Sequence, residues 1–265
     1  MSGKREGLLV AGPWVGELGW EIACWQGRVR KAAAGHARTV VCCPVGHGVL
    51  YRDFADEIRE ADVPGVRDCW KVSGDGGRGR TVSASLDVLG GVRLVPDRRY
   101  APEEQDFVSL RRPGPEGFDV VVHARGRFGP RASDSWPADQ WDRLCGRLLG
   151  AGLTVACIGH PGQSLRPAGC IDRRSVRLET AVGLLSASRL AAGPSSGPMV
   201  LASFCLTRHV VWGDRRVWTA SGGVTIREKF EKAWSPFGTR CRVIDDHGWR
   251  PPVDRVAEAV FEELE

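Results

Sequence analysis

Several short segments of the chain combine residues that hold anions or move protons with glycines that leave the backbone open. In Ala191-Ala192-Gly193-Pro194-Ser195-Ser196-Gly197-Pro198-Met199 an apolar run passes through a small-residue turn into a helix. Ser195, Ser196 and Gly197 then stand at a helix start, where unpaired N–H groups and the positive dipole end favour an anion. The same residues also read as an ordinary cap, with Ser196 at the cap and Pro198 in the first turn. His123-Ala124-Arg125-Gly126 follows a second apolar run. Arg125 has the planar fork that suits a phosphate, Gly126 lets the backbone come close, and the bland alternative is a solvated loop. Gly159-His160-Pro161-Gly162 closes a third run, either packing on a base or sugar or serving as a plain turn. Near the start, Gly12-Pro13-Trp14-Val15-Gly16-Glu17-Leu18-Gly19-Trp20-Glu21 sets Glu17 and Glu21 one helical turn apart. Such a pair serves either as a general base or as dipole-favouring acids of a helix N-terminus.

These segments need elements that bring them to one edge. Leu8 to Ala11 reads as a strand ended by Gly12-Pro13, and Leu18, Ile22, Trp25, Val29 and Ala32 line one face of a helix over 17–34. Glu17 and Glu21 would occupy the opposite face. Thr39 to Cys43 is a second strand, and a helix is expected over 49–61 after a glycine turn. Residues 73–85 read as a flexible loop, and 96–117 are rich in proline and charge. The second half alternates strands at 118–123, 153–158, 190–192 and 209–212 with helices at 138–149, 176–186 and 197–205, and ends in a helix over 253–264. That order implies parallel sheets covered on both faces, with ligands beyond the carboxyl ends of the strands. The expected organisation is a first α/β domain over 1–115, a second over 116–252, and a closing helix over 253–265.

Composition narrows the class. The net charge is +5 and the 37 basic residues are nearly all arginine, spread along the chain without a basic stripe or a nucleic-acid motif. A small anionic ligand is favoured over DNA or RNA. Nine cysteines, an odd number with several inside apolar runs, read as reduced and mostly buried. No metal is expected, since no CxxC pair or zinc-like His/Cys spacing occurs. The lack of a membrane-length apolar run or a secretory leader points to the cytoplasm.

The stretch LLSASRLAAGPSSGPMVLASFCLTRHVVW, from Leu184, resembles the donor-domain signature of the GT-B glycosyltransferases of the bacterial lipopolysaccharide heptosyltransferase type. SWPADQWDRLCGRLLGAGLTVACIG is similar to the family's Trp-Pro, Trp, helix and strand sequence, and GPWVGELGW resembles its first strand and glycine turn. The resemblance implies an α/β chain of two Rossmann-like domains with parallel sheets facing a cleft. It further implies metal-independent transfer of a sugar, hexosyl or heptosyl, from a nucleotide-sugar to the hydroxyl of a small-molecule or glycan acceptor, with no bound cofactor. In that reading Ser195, Ser196 and Gly197 cup the donor diphosphate and Arg125 adds positive charge, while Glu17 serves the acceptor. Val200 stands where the family usually has a histidine, Ser195 replaces a common acidic residue, and 265 residues is short for the family, which implies a trimmed first domain. Rival readings are a nucleotide-sugar hydrolase or epimerase and a non-catalytic nucleotide-binding module. The arginine bias fits a GC-rich bacterial genome and secondary metabolism.

Overall fold

A computed structural model of the protein describes residues 7–62, 78–96, 101–127, 129–215 and 225–265. The chain divides into two compact units, Met1–Val108 and Ser109–Glu265.

In the first unit, strands β1 (Leu8–Ala11), β2 (Arg38–Pro44), β3 (Glu57–Ala61) and β4 (Val92–Leu94) form one parallel sheet in the order β3-β2-β1-β4. Unbroken apolar runs build β1 and β2, whose residues are buried from Leu9 to Ala11 and from Thr39 to Cys43, as expected of strands covered on both faces. A helix follows β1 through Leu18–Trp20, a π-helical turn at Glu21–Trp25, and Gln26–Ala33. The residues from Glu21 to Gly27 are all buried, so Glu21 does not share an exposed face with Glu17 as expected; four residues before Trp25, it lies on the apolar side of the helix.

Two local expectations are overturned here. Residues 57–61 form β3 rather than the end of a helix. Leu50, Phe54 and Ile58 recur at helical spacing, yet Val40 to Pro44 of β2 pair in register with Glu57 to Ala61, and sheet pairing outweighs the local period. Asp56 fixes the entry, its carboxylate accepting the Thr39 N–H at 2.7 Å. The loop expected over 73–85 is helical over Arg78–Asp87, because Val82, Leu86 and Leu89 give that helix an apolar stripe against Val10 and Cys42. Residues 73–77 lie outside the described residues.

The second unit carries β5 (Val120–Val122), β6 (Val155–Gly159), β7 (Ile171–Arg174), β8 (Leu190–Pro194), β9 (His209–Trp212) and β10 (Cys241–Ile244) in a parallel sheet of order β10-β9-β8-β5-β6-β7. In sequence order that is the 3-2-1-4-5-6 arrangement of dinucleotide-binding folds. Helices Ala138–Gly150, Leu178–Ala187, Gly197–Phe204 and Val253–Leu264 match the apolar periodicity, and a further helix runs through Ile226–Glu228 and Lys229–Ala233. Strands β7 and β10 escape a hydrophobicity reading because each has only four residues, β7 is polar after Ile171 and Arg242 interrupts β10. Arg173 of β7 pairs with Glu116, and Arg174 with Asp172. The segment ahead of β5 belongs with this unit through main-chain bonds from Leu110 to Phe204 (2.8 Å) and from Gly114 to Gly183 (3.1 Å). The core centres on Trp136, Trp141 and Trp212, with ring centroids 4.8 to 5.4 Å apart, against Val256 and Val260 of the last helix.

Gly12 is the tightest backbone position of the first unit. Its φ is +104° and a Cβ there would lie 2.3 Å from the Cys42 carbonyl oxygen. Gly12→Ala is expected to destabilise the protein by at least about 2 kcal/mol, combining left-handed strain with a backbone clash. Urea denaturation checks this, and a loss below about 0.5 kcal/mol refutes the strain argument.

Candidate active site

In a sheet of this order the strand sequence reverses between β5 and β8, and their carboxyl ends open the crevice where ligands bind. His123 and Arg125 leave β5 there, while Ser195 and Ser196 leave β8. Ser196 caps the helix Gly197–Phe204 in an extended conformation but makes no side-chain bond to the helix N–H groups. Its Oγ lies 2.9 Å from His123 Nδ1 instead. The helix start is thus left to its own N–H groups and dipole, with Ser195, Ser196 and Gly197 half-buried. Gly193 is required behind them, since a Cβ would crowd the His123 carbonyl oxygen at 3.1 Å.

Arg125 is buried and points inward. It donates to the carbonyl oxygens of Ser195, at 2.7 Å, and Asp134, and its guanidinium lies 4.6 Å from the Trp249 ring centroid. The residue fastens the turn that follows β8 and contributes a positive field from beneath it. Gly159 ends β6 at φ +122°, and a Cβ there would meet His123 Cδ2 and Ser164 Oγ at 2.9 Å. Gly159 therefore admits the imidazole, while His160 is exposed and its Nδ1 accepts the Gly162 N–H at 3.1 Å. The structure brings His123, Arg125, Gly159, Ser195, Ser196 and Gly197 together and leaves His160 at the rim. Val200 is buried within the helix.

In the first unit, Glu17 is half-buried at the helix start, its carbonyl accepting the Trp20 and Glu21 N–H groups. The Glu21 carboxylate is fully buried, accepting the Tyr51 hydroxyl at 2.7 Å and contacting His47 Nδ1 at 2.5 Å. His47 and Tyr51 have no place among the sequence-derived candidates. The available signal was a histidine between Gly46 and Gly48, directly after a buried strand.

The described cysteines are free, and Cys42, Cys43 and Cys157 are buried. Among the described residues, no cluster of three His, Cys, Asp or Glu side chains is placed to hold a metal ion, and no helix is long and apolar enough to cross a membrane.

No family model and no curated protein matches the chain. Solved structures do. A glycosyl transferase of family 9 from Veillonella parvula superposes with a TM-score of 0.62 at 11% identity, covering 100% of this chain and 98% of that one. The E. coli ADP-heptose lipopolysaccharide heptosyltransferase II gives 0.57 at 15% identity, covering 97% and 98%. The dodecameric iron-containing heptosyltransferase TibC, in complex with ADP-D-β-D-heptose, gives 0.55 at 16% identity, covering 100% and 78%. The chain shares the GT-B-like α/β fold of these structures. Both parallel sheets of this GT-B-like α/β chain, of four and six strands, fall within that likeness.

In the second unit, burial and the neighbouring charges of Arg125 and Arg127 push His123 down to about 3, so its imidazole is neutral at physiological pH. Burial takes His209 down to about 4; its Nδ1–H donates to the Thr207 carbonyl at 3.0 Å and its Nε2 accepts the Ser203 hydroxyl at 3.1 Å. Both values lie below that of an unfolded histidine, so the unfolded chain binds protons first as pH falls. The contribution to stability is complete above about pH 6.5 and declines below it by about 1.4 kcal/mol per pH unit for each histidine. Chemical denaturation between pH 7 and 4 is expected to show this decline, and a shallower one in His209→Asn. An identical pH dependence in that variant would contradict the buried neutral state of His209.

Proposed function

We propose that the protein is a glycosyltransferase that moves a sugar from a nucleotide-sugar donor to an acceptor hydroxyl. The observation that carries this reading is the helix start at the β5/β8 reversal, where Ser196 bonds His123 and leaves the helix N–H groups without a side-chain cap. A diphosphate suits that place, because helix N–H groups bind its oxygens and the buried Arg125 lends a positive field as the leaving group gains charge. The TibC neighbour was solved with a nucleotide-sugar of this kind. We place the donor diphosphate against Ser195, Ser196 and Gly197.

Transfer needs one further group, a proton acceptor for the hydroxyl. The first unit offers two arrangements: Glu17 at its helix start, and Glu21 acting on His47. Positioning, a positive environment for the diphosphate and one base meet the needs of the reaction without a bound cofactor or metal. The acceptor is a small molecule or glycan, and the reaction is cytoplasmic because nucleotide-sugars are made there.

A thermal-shift panel of ADP, UDP, GDP and their sugars tests the donor site, since a ligand bound by the folded state alone raises the melting midpoint. At a concentration of 100 times Kd, stabilisation of about 2.7 kcal/mol is expected for the cognate nucleotide. Ser196→Arg, which fills the helix start with a long side chain, is expected to abolish the shift while leaving the unliganded midpoint within a few degrees. A shift of full size in that variant removes the diphosphate from this helix.

A further inference from the structure

The carboxylate that the helical spacing offers to a ligand, Glu21, touches none: it has no exposed surface. A buried carboxylate is costly unless it is paired and hydrogen-bonded, and this one is held on both oxygens. Tyr51, itself buried, donates to Oε1 at 2.7 Å, and the imidazole of His47 meets Oε2 through Nδ1 at 2.5 Å. The second ring nitrogen of His47, Nε2, has no partner among the described residues, and the side chain keeps 23% of its surface exposed. The ring is therefore clamped on its inner side and open on the other.

The loop that carries it is also clamped. Glu60 of β3 accepts the Gly46 N–H at 3.0 Å and the Gly48 N–H at 3.2 Å, one on either side of His47. The His47 N–H donates to the Pro44 carbonyl, the last residue of β2, at 3.0 Å. Glu21, reached through the helix that follows β1, and His47, in the turn after β2, both stand beyond the carboxyl ends of their strands. That is the edge at which parallel sheets bind ligands.

We infer that His47 is the proton acceptor of the first unit and that Glu21 is the positioning carboxylate behind it, an inference that rests on the sugar-transfer function proposed above. In the step, the acceptor O–H proton passes to His47 Nε2 as the hydroxyl oxygen bonds to the anomeric carbon. The bond from that carbon to the diphosphate oxygen breaks, and its electron pair leaves with the nucleoside diphosphate. The resulting imidazolium is held by Glu21, whose carboxylate also fixes the tautomer by accepting a hydrogen bond from Nδ1–H. The groups that face the ring agree with this. Burial lowers the affinity of His47 for a proton, but the charge and hydrogen bond of Glu21 and the charge of Glu60 outweigh it, and the net displacement is upward from 6.5. Tyr51 and Cys43 add no competing charge: burial and Glu21 push the phenol well above its ordinary value, and burial pushes the thiol up likewise.

Two measurements on the full chain decide the matter. In the first, the imidazoles of protein labelled on its six histidines are titrated by NMR, with His47 assigned from the signal missing in His47→Gln. His47 is expected to titrate above 6.5, and Glu21→Gln to lower that value. A His47 value at or below 6.5, or one that Glu21→Gln leaves in place, overturns the pair. In the second, release of nucleoside diphosphate from ADP-, UDP- and GDP-sugars is followed against pH with and without added acceptor sugars. The wild-type rate is expected to rise with pH through the His47 value. His47→Gln should lower kcat by about 10²- to 10⁴-fold with donor KM unchanged and erase that limb, while Glu17→Gln keeps it. A limb near pH 4 to 5 that disappears in Glu17→Gln assigns the proton to Glu17 and sinks the role of His47. Release from no sugar of the panel overturns the functional reading, and the catalytic role with it, whereas the titration still reports the pair by itself.

Discussion

The second unit is organised around one buried cation. Arg125 sits at the reversal of the sheet, and its guanidinium binds the main-chain oxygens of Ser195 and Asp134 while lying over Trp249. A buried arginine stripped of such acceptors would cost about 3–5 kcal/mol, so the three segments it contacts are held where it needs them. The turn that starts the helix Gly197–Phe204 is fixed by this interaction before any ligand arrives. Burial is the main cause of the low proton affinity of His123, and the charges of Arg125 and Arg127 add to it, so the imidazole is neutral where it meets Ser196.

The sequence made the second unit readable because its elements are strongly patterned. Val120 to Val122, Val155 to Ile158 and His209 to Trp212 are apolar runs too short for helices, and the helices between them carry apolar stripes with clean ends. The placement of Ser195, Ser196 and Gly197 between a buried strand and a helix start was legible for the same reason. The role of Arg125 was only half legible. An arginine after a strand reads as a phosphate ligand, and only the fold shows that Ser195 and Asp134 already engage two of its nitrogens.

The first unit was less legible because its chemistry depends on tertiary register. Glu21 and Trp25, four residues apart, already share a side of a regular helix, and the π-helical turn at Glu21–Trp25 has Glu21, Ile22 and Trp25 all inside. Such turns are enriched at functional sites, where they re-aim side chains that a regular helix would point elsewhere. His47 and Tyr51 lie 26 and 30 residues further along, and β2 with the turn after it brings them back to Glu21. Propensity could not supply this closure, nor could it show that Leu50, Phe54 and Ile58 lead into a paired edge strand.

Low identity to the neighbouring structures makes the fold informative and the chemistry a separate question, because one fold hosts many reactions. The two parallel sheets nonetheless restrict where that chemistry can sit. The first sheet, ordered β3-β2-β1-β4, repeats the first four strands of the second unit's arrangement, so each unit has its reversal beside its first strand. At one reversal stands a helix start without a side-chain cap, and beyond the neighbouring strand ends of the other sheet stands a carboxylate-backed imidazole. A nucleotide-binding module needs the first of these and has no use for the second. Burying Glu21 costs stability that a purely structural hydrogen bond from Tyr51 would not require, since a neutral glutamine would accept it equally well. What the carboxylate adds over an amide is a second, imidazole partner on its other oxygen, the arrangement on which the role proposed for His47 rests.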